Sequence, residues 1–298
     1  MYLENKVIAW WSGGVTSAII CKLCIDMFGI ENVRIIFIDT KNEDEDTYRF
    51  KTDCENWYGC KIETITNIGV RYESIQHVWN KYLSLNISKG ASCSLRLKRY
   101  VREDWEKHNK WSYQAFGFDI KETQRAISMT LNQPHINAIY PLMLFGLTKK
   151  DCINMLKKEG LDLPITYKYG FQNNNCFKTG CIQGGIGYWQ KMKRDFPEKF
   201  YTMAKVEHEL TDKKGEPVTM LKDQSKNGGK VFLMSHAKYP EVKDISMMKG
   251  REPQPLTECN GFCGINDLAQ RNSTENEINY EPILNSFEKT EERGQKIK

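Results

Sequence analysis

The chain has 298 residues, 40% hydrophobic and 27% charged, with Lys+Arg 43 against Asp+Glu 38 and a formal net charge of +5. That length suits an α/β core with a smaller appendage, the composition excludes extensive disorder away from the ends, and so small a charge excess makes no case for nucleic acid by itself. No apolar run approaches the roughly 18 residues that cross a bilayer, and Met1-Tyr2-Leu3-Glu4-Asn5-Lys6 lacks a leader pattern, so a cytoplasmic protein with no membrane partner is expected. In that compartment the 10 cysteines read as buried thiols, metal ligands or redox groups rather than a disulfide framework.

Lys6-Val7-Ile8-Ala9-Trp10-Trp11 is a short apolar run closed by a glycine turn, and residues 17–28 carry apolar side chains at helical spacing, which predicts strand, loop and helix. Asn32-Val33-Arg34-Ile35-Ile36-Phe37-Ile38-Asp39 is too continuously apolar for a half-exposed strand and predicts a parallel one covered on both faces. A helix over 44–57, a strand over 61–66, a helix over 75–85 and a strand over 111–117 follow. Thr148-Lys149-Lys150-Asp151 has the spacing of a capping box and opens a helix that Gly160 stops. Residues 171–181 read as loop, 187–210 as helix apart from Pro197, and everything after Thr211 as irregular. The expected fold is a doubly wound parallel α/β sheet, with a nucleotide-binding domain over 1–165, a Cys-containing helical or irregular region over 166–285 packed on it, and a flexible tail over 286–298.

The loop Ser12-Gly13-Gly14-Val15-Thr16-Ser17 lies where a strand hands over to a helix, so backbone N–H groups and the positive end of a helix dipole converge there on one anion. The glycines admit phosphate close to the backbone, and Ser12, Thr16 and Ser17 add hydroxyls. Gly-Lys-Ser/Thr at Walker spacing is absent. A bland two-glycine turn accounts for this loop in isolation equally well.

Four segments in order carry a resemblance to the PP-loop ATP pyrophosphatases, in the branch similar to phosphoadenosine phosphosulfate reductases, with the adenine nucleotide alpha hydrolase-like fold. They are the Ser-Gly-Gly-x-x-Ser loop, Phe37-Ile38-Asp39-Thr40 with Glu45-Asp46-Thr47-Tyr48, Gly117-Phe118-Asp119-x-x-Glu122-x-x-Arg125, and Tyr140-Pro141-Leu142 leading to Leu147-Thr148-Lys149-Lys150-Asp151. The resemblance implies an adenine nucleotide across the carboxyl ends of the strands. It places Asp39 and Thr40 beside the nucleoside, Asp119 with the binding residues, and Arg125 on phosphate or leaving group, with Ser12 and Ser17 assisting. ATP with Mg²⁺ belongs to the ATP-cleaving branch, where many members have an acidic residue at the position of Thr16; Thr16 supplies no charge for the metal.

The resemblance also implies that Cys93, Cys176 and Cys181 ligate an iron-sulfur cluster; their spacings alone suit [4Fe-4S] or Zn²⁺, such a site needs a fourth thiolate, and Cys259 or Cys263 of Glu258-Cys259-Asn260-Gly261-Phe262-Cys263 is the candidate, with buried core thiols as the alternative. Glu258-Cys259 partially echoes the Glu-Cys-Gly element whose thiol attacks sulfonate in the reductases. Arg96, Lys98, Arg99 and Arg102, and Lys191, Lys193 and Arg194 after Tyr188-Trp189, are solvated helix faces or sites for nucleotide or nucleic-acid phosphates. The expected function is cleavage of ATP between its α and β phosphates to adenylate a small-molecule or nucleic-acid acceptor, with pyrophosphate release and a sulfur donor as a further partner; the alternatives are thiol-dependent reduction of an adenylyl or phosphoadenylyl sulfate and nucleotide sensing without turnover. A homodimer is one candidate assembly.

Overall fold

A computed structural model describes residues 6–87, 90–225 and 228–256. Its centre is a five-stranded parallel sheet in the order β3-β2-β1-β6-β7, made of β1 (Val7–Trp10), β2 (Val33–Ile38), β3 (Glu63–Ile65), β6 (Tyr113–Ala115) and β7 (Ala138–Ile139). The pair β4 (Asn86–Ile87) and β5 (Gly90–Ala91) forms a separate short ribbon. Register is set along β1, where Val7 pairs with Val33 on one side and Tyr113 on the other. Alternation then divides the strands between two cores. Val7, Ala9, Ile35 and Phe37 pack on one face with residues of α1 (Val15–Phe28) and α2 (Glu45–Tyr58), while Ile8, Trp10, Ile36 and Ile38 pack on the other with Val101, Trp105 and Ile127. Both faces are covered, as a parallel sheet requires.

Short elements connect these layers: α3 (Ile75–Tyr82), α4 (Ser92–Ser94), α5 (Tyr100–His108), α6 (Thr123–Asn132), α7 (Pro141–Leu144), α8 (Lys149–Lys158) and α9 (Ile165–Lys168). The capping box expected at α8 is present: the Thr148 side chain accepts from the Asp151 N–H and the Asp151 carboxylate from the Thr148 N–H. The helix expected over 187–210 runs as two, α10 (Ile186–Asp195) and α11 (Pro197–Lys214), because Pro197 supplies no N–H to the preceding turn and instead takes the first position of α11.

A third core joins α3 to α10 and α11 through Trp79, Leu97, Phe177, Trp189, Phe200 and Leu210. Residues 72–97 therefore share their apolar contacts with the chain after Phe171, across the position where composition divided the sequence. After Thr211 the chain is less irregular than its Lys, Gly and Asn content implied. A second sheet of β8 (Leu221–Lys222), β9 (Lys230–Phe232) and β10 (Lys243–Asp244) buries Leu221, Val231 and Phe232. Strands of two or three residues carry no readable periodicity, and this sheet is tied down by a buried side chain. Glu207 of α11, 0% exposed, accepts the Met220 N–H at 2.7 Å through Oε1 and the Leu233 N–H at 2.7 Å through Oε2. Residues 286–298, and with them the expected tail, lie outside the described residues.

Burial pushes the Glu207 carboxyl from its ordinary 4.5 up to about 8, against the lowering effect of its two N–H donors. The folded state therefore holds this proton more tightly than the unfolded chain does. The stability it contributes is complete below pH 4.5 and is lost as pH rises through about 8. Thermal unfolding of wild type and Glu207→Gln across that window should show a decline in the wild-type midpoint that the neutral variant lacks; parallel curves would contradict the assignment.

Candidate active site

Strand order places the chain's change of direction between β1 and β6, so the loops leaving these two neighbours diverge and open a crevice above the sheet. The first loop is residues 12–14. Gly13 sits at φ +85°, and a Cβ there would meet Thr47 Cγ2 at 2.9 Å, so both conformation and space require glycine. The Ser17 hydroxyl accepts from the Ser12 N–H at 3.1 Å and donates to the Gly14 carbonyl at 2.9 Å, closing the loop on itself. Ser12 Oγ lies 3.0 Å from Ser17 Oγ. The Val15 N–H donates to the Tyr167 hydroxyl at 3.3 Å.

Helix α1 begins at Gly14 with no side-chain cap and no acidic residue in its first turn. Its positive end is left uncompensated, whereas α2 begins with Asp44 as cap followed by Glu45 and Asp46. From the other side, Gly117 approaches so closely that a Cβ would meet the Ser17 nitrogen at 3.0 Å and Thr16 Oγ1 at 3.2 Å. The loop after β6 is thereby seated on the first turn of α1.

Between them lies a cleft of about 370 Å³ whose walls include Thr16, Asp119, Glu122, Lys121, Lys149 and Lys150. Its carboxylates are already engaged. Asp119 accepts the Lys121 N–H at 2.9 Å on Oδ1 and the Lys149 N–H at 3.0 Å on Oδ2, and Glu122 accepts the Asp119 N–H at 3.2 Å and pairs with Arg125 at 2.8 Å. Lys121, Lys149 and Lys150 stand in the same walls as these carboxylates. Pro255 and Leu256 form the remaining rim. They are held there by the Leu256 N–H donating to Asn173 Oδ1 at 2.9 Å and by Gln190, which bonds the backbone at Met248, Lys249 and Arg251. This strap passes so near Gly187 that a Cβ there would clash with the Glu252 carbonyl.

Arg125 lies over the Phe118 ring with its guanidinium carbon 4.1 Å from the centroid, paired to Glu122, and is not among the cleft-lining residues. Of the expected binding residues, Thr16 and Asp119 line the cleft, while Ser12, Gly13, Gly14, Val15 and Ser17 belong to the adjoining loop and first turn of α1. Asp39 and Thr40 stand at the end of β2. Asp39, 1% exposed, accepts the Lys41 N–H at 2.7 Å and the Tyr48 hydroxyl at 3.0 Å and pairs with Lys41 Nζ at 2.9 Å. Thr40 donates to Glu43 Oε1 at 3.0 Å, and its oxygen lies 3.5 Å from Cys176 Sγ.

Cys176 thus belongs to the same strand-end layer, with Glu43 and the buried Lys98 Nζ, 3.5 Å from the Glu43 carboxylate, alongside. Burial first, and Glu43 next, push the Cys176 thiol well above its ordinary 9.0, with Cys181 and Cys93 near enough to add to the effect and Lys98 opposing it. The Asn175 amide donates to Cys181 Sγ at 3.8 Å. Cys93, Cys176 and Cys181 are therefore neighbours. Among the described residues, however, no group of three or more His, Cys, Asp or Glu is arranged to hold a metal ion. Cys259 and Cys263, the expected sources of a fourth thiolate, lie outside the described residues.

Several contributors had no sequence signal: Asn174, Tyr167 and Gln190 are common residue types whose roles arise from contacts far along the chain. The three lysines were legible only as parts of two separate segments. Of the basic and aromatic runs, Tyr188 and Trp189 are core residues, 4% and 0% exposed. Arg102, 1% exposed, pairs with Glu106 at 2.6 Å.

A parallel sheet with a capless helix rising from a Ser-Gly-Gly loop at its switch point is the arrangement of PP-loop proteins. Residues 6–181 match the phosphoadenosine phosphosulfate reductase domain, and the chain belongs to that family. It is also 26% identical over 223 residues to an uncharacterized protein of Methanocaldococcus jannaschii, an alignment covering 71% of this chain and 43% of that protein. The chain spans less than half the length of this relative. Among the described residues, no helix is long and apolar enough to cross a membrane.

Gly13→Ala combines a strained φ with the Thr47 contact, at a cost on the order of 1–2 kcal/mol of stability, and displaces the loop's N–H groups. We expect the folded variant to lose about tenfold or more in nucleotide affinity by calorimetry. Unchanged affinity would remove the loop from the binding site.

Proposed function

We propose that this chain binds an adenosine sulfonucleotide, with its phosphate and sulfonate oxygens between the Gly13–Gly14 loop and the lysines of the cleft, and that a thiol reduces the bound sulfonate. The observation that carries this reading is the engagement of Asp119 and Glu122 by backbone N–H groups and Arg125, together with Thr16 in place of an acidic loop residue. Charge on the ligand would then be met by Lys121, Lys149 and Lys150 and by the amino ends of α1 and α8. The N–H groups at the helix ends are fixed before the reaction and would stabilise the departing phosphate without reorganising.

In this reaction a thiolate sulfur bonds to the sulfonate sulfur as the bond from that sulfur to the phosphate oxygen breaks. The nucleotide leaves as its phosphate monoester. A second thiol, from a small thiol or a dithiol protein, then displaces sulfite and leaves a disulfide. Cys259, three positions after the cleft-lining Leu256, is the thiol of this chain assigned to the first step.

The three ammonium groups equally suit pyrophosphate leaving from ATP, which supports adenylation of an acceptor as a second reading. Anaerobic incubation with adenylyl sulfate or phosphoadenylyl sulfate and a dithiol should release sulfite, and Cys259→Ser should abolish it while leaving nucleotide affinity within about twofold. Pyrophosphate from ATP without sulfite from either sulfonucleotide would favour adenylation. Nucleotide binding with neither product would leave a sensor without turnover.

A further inference from the structure

Asn173, Asn174 and Asn175 are consecutive and buried, at 7%, 5% and 9% exposure, and each turns to a different partner. Asn173 holds the strap through the Leu256 N–H, and Asn175 reaches Cys181. Asn174 reaches the loop after β1. Its Oδ1 accepts from the Thr166 hydroxyl at 2.9 Å, and its Nδ2 donates to the Gly13 carbonyl at 2.9 Å and to Thr47 Oγ1 at 3.0 Å. A buried amide is costly unless its groups are paired, and this one is paired on both sides. Because a carbonyl oxygen can only accept, the Gly13 contact itself fixes which end of the amide faces the loop.

We propose that Asn174 is a positioning residue for the phosphate seat. Resting on the nucleotide-binding reading above, the inference assigns to it the orientation of the peptide between Gly13 and Gly14. Among the described residues no peptide bond is cis, so the Gly14 N–H points opposite to the Gly13 C=O. Holding that carbonyl against Asn174 sends the N–H away from it, as a donor for the ligand's phosphate. A peptide between two glycines inverts at little cost, since neither residue has a Cβ to oppose positive φ. Inversion would present an oxygen to the anion in place of a hydrogen. Asn174 selects the binding orientation of a peptide that its own sequence leaves undecided.

The isosteric variant Asn174→Asp keeps an acceptor for Thr166 and sets a carboxylate oxygen against the Gly13 carbonyl, which favours the inverted peptide. Thr166→Val breaks the same network on the side away from the loop and reports what packing alone does. Titration of the full chain with ATP and with inorganic pyrophosphate, by calorimetry and by following the Gly14 amide resonance, should show more than tenfold weaker binding of both ligands to Asn174→Asp. The Gly14 response should be absent in that variant, while Thr166→Val stays within about threefold of wild type. Asn174→Asp binding within threefold of wild type, or an equal loss in Thr166→Val, would overturn the role assigned to Asn174 while nucleotide binding stood. Wild-type protein that binds neither ligand would overturn the nucleotide reading, and this inference with it.

Discussion

The hydrogen bond from Asn174 to the Gly13 carbonyl spans 161 positions of sequence and joins the loop after β1 to the segment after α9. Much else depends on that meeting. The loop has no room for a side chain at Gly13 because Thr47 of α2 fills the space, and Thr47 and Thr166 are in turn bonded to Asn174. Gly117 imposes the matching constraint from β6. Thr47 and Gly117 thus fix how closely α2 and the loop after β6 approach the loop and first turn that follow β1.

Charge is distributed around this cleft in a way that geometry explains better than composition. Across the chain acids nearly balance bases, yet at the crevice Asp119 and Glu122 are engaged as caps, while Lys121, Lys149 and Lys150 line the same wall. Through two backbone N–H groups the Asp119 carboxylate positions α8 and its own helical turn. Thr16 adds a hydroxyl at the same place without adding negative charge. The result is a recess at a topological switch point where three lysines stand beside two capping carboxylates.

The parts legible in the sequence were those governed by short-range rules. Continuous apolar runs marked β1 and β2, the Thr148–Asp151 box marked α8, and Ser-Gly-Gly between strand and helix marked the loop. Long-range contacts were not legible. Nothing local indicates that Trp79 packs with Trp189 and Phe200, that Glu207 caps two strand ends, or that one Asn among three contacts Gly13. The sheet of β8, β9 and β10 was missed because its strands are shorter than any period. Arg125 matched a family motif, and its place over Phe118 follows from a ring and a carboxylate that the motif also contains. For the cysteines, spacing brought Cys93, Cys176 and Cys181 into one neighbourhood without dictating how their thiols are used.

Co-crystallisation of the full chain with a non-hydrolysable adenosine diphosphate or phosphosulfate analogue tests the central claim most directly. The account predicts phosphate oxygens within hydrogen-bonding distance, about 3 Å, of the Gly13 and Gly14 nitrogens, the second charged group against Lys149 or Lys150, and the Gly13 carbonyl still on Asn174. A nucleotide bound elsewhere, or one whose phosphates leave the Gly13–Gly14 loop empty, would contradict it.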